Sequence, residues 1–198
     1  MSGAARIGIF GGSFDPIHTG HLILAQSAQS LLDLDRVYFL PTANPPHKMM
    51  DRLTEFAVRE RMVSLAIDDN PLFELSRIEG KREISFTYET VLHFKEKGFG
   101  KGDIHLLVGT DSLADIPDWK NPELIYSNST IVALKRPGYG TAWPLPEEAA
   151  VIFIETGSNS ISSSEIRKMV AEGRSIRYLV PGRVEEFIID NRLYLNGS

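Results

Sequence analysis

Six short runs rich in β-branched and aromatic residues punctuate the chain, at residues 7–10, 37–40, 73–75, 104–108, 130–134 and 151–154. Such runs, bounded by turn-forming residues, predict strands buried in a sheet. Between them apolar residues return at helical spacing. Leu24, Ala28, Leu31 and Leu32 form one set, and Val58, Met62, Leu65 and Ala66 another, each predicting an apolar stripe on a helix. Strand and helix therefore alternate. Alternation of this kind requires right-handed βαβ crossovers, and so a doubly wound, Rossmann-like parallel sheet with helices on both faces. Residues 162–172 and 184–191 predict two C-terminal helices, the second following Pro181 and Gly182. Ligands of such a fold bind beyond the C-terminal ends of the strands. Two stretches carrying proline or glycine, 41–53 and 136–146, are the long loop candidates.

Length fits this picture: 198 residues suffice for one domain with a real core, predicted to span 1–198. The formal charge of -5 argues against a nucleic-acid partner, which needs concentrated positive charge. The absence of cysteine excludes disulfides, cysteine-ligated zinc and a thiol nucleophile. No apolar run is long enough for a membrane span and no secretory pattern opens the chain, so a cytoplasmic location is expected. Oligomeric state is not legible, and a homo-oligomer stays open.

The candidate chemistry begins where the first strand runs out, in Gly11-Gly12-Ser13-Phe14-Asp15-Pro16-Ile17-His18-Thr19-Gly20-His21. Two glycines let the backbone approach a phosphate, and the helix expected near Gly20 adds a partly positive N-terminus. His18 and His21 are spaced to lie on one side of that helix's first turn and to donate to the same phosphate. Asp15-Pro16 reads as turn chemistry. This segment resembles the signature of the His-x-Gly-His nucleotidyltransferase superfamily, with Ser13 in place of the usual threonine.

Downstream, Ser162 with Glu165 has capping-box spacing before an amphipathic helix, which explains the serines but not Arg167. The segment Ile161-Ser162-Ser163-Ser164-Glu165-Ile166-Arg167 is similar to the superfamily's second signature, in which amides, hydroxyls and the arginine hold the ATP triphosphate. Further segments resemble bacterial nicotinate-nucleotide adenylyltransferases in particular: Pro45-Pro46-His47-Lys48, Ser85-Phe86-Thr87, Gly109-Thr110-Asp111 followed by Asp118-Trp119-Lys120, Arg136-Pro137-Gly138-Tyr139 and Tyr178-Leu179-Val180-Pro181. The likeness runs from Ile7 to about Tyr194.

The resemblance implies transfer of AMP from ATP to nicotinate mononucleotide, with Mg2+ carried by the substrate phosphates. His18, His21, Lys48 and Arg167 would carry catalysis. ATP would meet Gly11, Gly12, Ser13, Phe14, His18, His21, Gly109, Asp111, Ser162, Ser163 and Arg167. The mononucleotide would meet Ser13, His47, Lys48, Ser85, Thr87, Trp119 and Arg136, with the Trp119 indole suited to stacking on a pyridine ring. A preference for nicotinamide mononucleotide is the nearest alternative. A non-catalytic nucleotide sensor is the other, and the retained histidines and Arg167 argue against it.

Overall fold

The computed structural model describes residues 5–43, 53–78, 86–135, 145–155 and 161–195. Their centre is a parallel sheet of β1 (Ile7–Gly12), β2 (Arg36–Pro41), β3 (Phe73–Leu75), β4 (Ile104–Gly109), β5 (Thr130–Lys135) and β6 (Val151–Glu155), in the order β3-β2-β1-β4-β5-β6. All six predicted strands are present. The strand order reverses direction between β1 and β4, so the loops leaving these two strands diverge and open a crevice at their C-terminal ends.

Period-two alternation divides the strand side chains between two cores. Phe10, Val37, Phe39, Leu107, Val132 and Ile154 meet α1 (Thr19–Leu32), α2 (Phe56–Ile67), α6 (Ser163–Ala171) and α7 (Gly182–Asp190) on one face. Ile7, Ile9, Leu40, Leu106, Val108 and Ile131 face the other way, toward α3 (Thr87–Glu96), α4 (Thr110–Asp115) and α5 (Pro122–Asn128), joined by a 3-10 turn at Ile116–Asp118. Runs that are apolar throughout are what a sheet covered on both faces demands.

The helical stripes differ in detail from the sequence pattern. Leu31 is 65% exposed, because α1 buries Leu24, Ala25 and Ala28 instead. In α2 the buried positions are Arg59, Met62, Val63, Ala66 and Ile67, so a cation occupies the apolar stripe where counting only hydrophobic residues passes over it. The predicted C-terminal helices are both present, α7 starting at Gly182, two residues before the predicted start at Val184. Arg183 of α7 pairs with Asp68 at the end of α2.

Candidate active site at the sheet switch point

The helix α1 starts in an unusual way. His18 is its N-cap, with extended backbone, and the His18 amide donates to Nδ1 of His21 at 3.2 Å. A nitrogen that accepts that bond carries no proton in the neutral ring, so the His21 proton then resides on Nε2. The two imidazoles stack at 3.7 Å between centroids and 28° between planes. Both rings thus lie on one side of the first turn. Phe14 braces His21 edge-on at 5.0 Å and is itself only 1% exposed, so its ring belongs to the core and any ligand contact at Phe14 would use backbone.

One of the amides at this helix start is already engaged. Thr19 donates both its N–H and its hydroxyl to the Leu179 carbonyl, each at 2.9 Å. The α1 terminus is thereby anchored to the segment that precedes α7. At the end of β1, a side chain on Gly11 would point into open space, whereas one on Gly12 would press on the Phe14 ring at 3.2 Å. Gly11 therefore leaves the approach to the strand end clear, and Gly12 makes room for Phe14.

Asp15 is 2% exposed, and its carboxylate is fixed in two directions. Oδ2 accepts the Thr54 amide at 3.1 Å and Oδ1 accepts the Tyr194 hydroxyl at 2.6 Å. Burial and the Asp15 charge push the Tyr194 hydroxyl well above its ordinary range, so it stays protonated and donates. The Asp15 carbonyl accepts Nη1 of Arg167 at 2.8 Å, and Ser163 donates its hydroxyl to the Pro16 carbonyl at 2.9 Å. The two predicted phosphate elements, separated by most of the chain, therefore meet at residues 15 and 16. Asp15-Pro16 is a turn as expected, yet its carboxylate is a buried junction, a role that the sequence reading passed over.

Arg59 is the other residue missed. Its fully buried guanidinium donates to the carbonyls of Ser13 (2.7 Å), Thr42 (2.9 Å), Thr54 (2.8 Å) and Ala43 (3.3 Å), and stands 5.7 Å over Phe56. Burial lowers its pKa and the Asp15 charge opposes that shift. Arg59 stands with Met62, Val63 and Ala66 in the i, i+3, i+4, i+7 spacing of a buried face, and a cation in that register is the signal that would have found it. Tyr194, beyond the last helix, carried no comparable signal.

At α6, Ser162 is the N-cap, accepting the Glu165 amide at 3.2 Å, as its spacing predicts. Across the switch point, Gly109 caps α4, whose first turn contains Asp111, so Asp111 lies within the helix rather than capping it. Thr87 opens α3, with Phe86 as its cap. Lys120 stands 4.2 Å over the Phe86 ring, and the adjoining Trp119 packs half-buried on the second core, which brings the Trp119-Lys120 pair beside the start of α3. His47, Lys48, Ser85 and Arg136 lie outside the described residues. Among the described residues no group of three His, Asp or Glu side chains comes together to hold a metal ion.

A parallel sheet of this order, with a stacked histidine pair and an arginine converging on the β1 exit, defines the nucleotidyltransferase class. Residues 9–169 match the family described as cytidylyltransferase-like, to which the chain belongs. Relatives named "Probable nicotinate-nucleotide adenylyltransferase" from Thermus thermophilus and Geotalea daltonii are 42% and 40% identical, covering 96% and 97% of this chain and 99% of each relative. The chain is accordingly a member of the nicotinate-nucleotide adenylyltransferase family, and an enzyme. The solved structure of Plasmodium falciparum nicotinic acid mononucleotide adenylyltransferase complexed with NaAD shares the fold, with a TM-score of 0.80 over 96% of this chain and 97% of that one, at 22% identity.

Proposed function

We propose that this adenylyltransferase moves AMP from ATP to the 5′-phosphate of nicotinate mononucleotide, in the cytoplasm, with the whole chain acting as one domain. The observation that carries the reading is the convergence of the His18–His21 stack and Arg167 on one loop, joined through Asp15. A phosphate oxygen of the mononucleotide attacks the α-phosphorus of ATP; the bond from that phosphorus to the β-phosphate oxygen breaks, and pyrophosphate leaves. The attacking monoester is largely ionised near neutral pH, its second pKa being about 6, so no protein base is needed.

What the protein must supply is neutralisation of converging negative charge and in-line geometry. His21 Nε2–H, Arg167 and the Ser13 and Ser162 hydroxyls are donors suited to the triphosphate, with Gly11 and Gly109 leaving room for it and Asp111 near the ribose, while Ser163, its proton committed to the Pro16 carbonyl, and Gly12, which makes room for Phe14, would shape the site from behind. His47, Lys48, Ser85, Thr87, Trp119 and Arg136 are assigned to the mononucleotide. The Arg167 guanidinium and the His21 N–H offer no lone pair to Mg2+, and Asp15 is occupied by Tyr194 and Thr54, so Mg2+ would be held chiefly by the substrate phosphates, where it would offset their charge.

The test is pyrophosphate release with nicotinate or nicotinamide mononucleotide at matched ATP and Mg2+. Faster turnover of the acid is expected; equal turnover of both would sink the substrate assignment. Trp119→Ala should weaken mononucleotide binding by about 1 to 3 kcal/mol and leave ATP affinity nearly unchanged, by analogy with base stacking on aromatic side chains. Titrating each ligand separately, with thermal melting alongside, checks this. A loss shared by both ligands would make Trp119 a packing residue only.

A further inference from the structure

Two bulky residues on either side of one hydrogen bond adopt left-handed backbone: Phe14 at φ 46° and Tyr194 at φ 63°, with Arg192 nearby at φ 51°. Non-glycine residues persist in that region where their surroundings over-determine them. Here the surroundings converge on Asp15. After α7 the chain turns back, the Leu193 amide bonding the Ile188 carbonyl at 3.0 Å, and this turn delivers the Tyr194 hydroxyl to Asp15 Oδ1 across 179 positions of sequence.

We propose that Tyr194 is a positioning residue for the transfer step, acting through Asp15 to fix where His18 and Arg167 stand. The inference rests on the adenylyl-transfer reading above. Asp15 lies one short turn before His18 and offers its carbonyl to Arg167, so a shift of Asp15 displaces a histidine and the arginine together. The neighbouring residues have their own anchors: Ser13 is held by Arg59 and Pro16 by Ser163. The Asp15 carboxylate itself depends on Thr54 and Tyr194, with the Arg59 charge nearby. The Tyr194 ring also packs against the first core, a contact that phenylalanine would keep. Removal of the hydroxyl alone therefore separates positioning from packing.

The experiment compares the full-length wild type with Tyr194→Phe, Asp15→Asn and the double variant. Readouts are steady-state pyrophosphate release, thermal melting, and the imidazole signals of a histidine-labelled sample by NMR. A misplaced reacting group costs rate more than affinity. Tyr194→Phe should lower kcat by about ten-fold, hold the KM for ATP within about two-fold, and shift the His18 and His21 signals. The double variant should be no slower than Asp15→Asn alone, because both substitutions break one linkage. A kcat within about two-fold of wild type, whatever the melting temperature, would overturn the proposal, and so would independent, multiplying losses in the double variant. If the wild type releases no pyrophosphate with either mononucleotide, the functional reading falls; unmoved histidine signals in Tyr194→Phe would then overturn the positioning role by themselves.

Discussion

Two helices of the chain start beside the Asp15–Pro16 turn and are built differently. At α6 the start is local: Ser162 accepts the Glu165 amide, and the helix that follows is amphipathic with Ile166 buried. At α1 the cap is a histidine, its partner at the third helical position is another histidine, and the first amide is taken by a carbonyl from residue 179. A serine cap satisfies the helix with its own side chain, and only the next residue, Ser163, reaches across to the Pro16 carbonyl. A histidine pair that caps with backbone and one ring nitrogen is held in place by Phe14 and Leu179. The Ser162 cap follows from neighbouring residues alone, and the histidine start depends on the finished fold.

The sharpest way to break that contrast is His21→Ala. Turnover is expected to fall at least ~100-fold, on the order of 2.7 kcal/mol or more of transition-state stabilisation, as when a preorganised donor is removed. Circular dichroism and melting should report an intact fold. Normal turnover per folded molecule would reduce His21 to a capping and packing residue.

A smaller effect is expected at the other helix start. Ser162→Ala removes the acceptor for the Glu165 amide and should cost about 1 kcal/mol of stability in denaturant titration. Its loss of turnover should stay below that of His21→Ala. A Ser162→Ala loss as large as that of His21→Ala, without destabilisation, would erase the difference between the two helices.

The smallest effect supplies the background for pH work on α1. His105, at the N-terminal end of β4 and 2% exposed, has its pKa lowered from 6.5, first by burial and then by the Arg6 charge. The fold favours its neutral ring, so the unfolded chain takes up the proton first as pH falls. The associated stability is present above pH 6.5 and is lost as pH drops from there through the folded-state pKa. Melting temperature should accordingly fall less between pH 7 and about pH 5 in His105→Leu than in wild type, with little change in turnover at about pH 7.5. Equal slopes in the two proteins would remove His105 as the source.

Some of this was open to inspection in the chain. The central strands were legible because both their faces are buried, which leaves apolar runs such as Leu106 to Val108. The cap at Ser162 was legible because its partner is three residues away. Leu31 misled the pattern, since helix periodicity marks a stripe but not where a particular helix meets the sheet. Arg59 was hidden for the complementary reason: a charge on the apolar face contradicts the pattern until the carbonyls of Ser13, Thr42, Ala43 and Thr54 are seen around it.

The sequence by itself determined the alternation of strand and helix, the doubly covered sheet, the glycine and histidine chemistry at the β1 exit, and the serine cap of α6. Each depends on residues within a few positions of one another, where propensity and spacing act directly. Tertiary structure alone decided that Arg167 and Ser163 anchor on Asp15 and Pro16, that Leu179 takes the first amide of α1, and that Tyr194 completes the Asp15 carboxylate. These contacts join segments more than a hundred residues apart. Their partners are brought together only when burial against the sheet aligns the elements that carry them, and no local spacing encodes that approach.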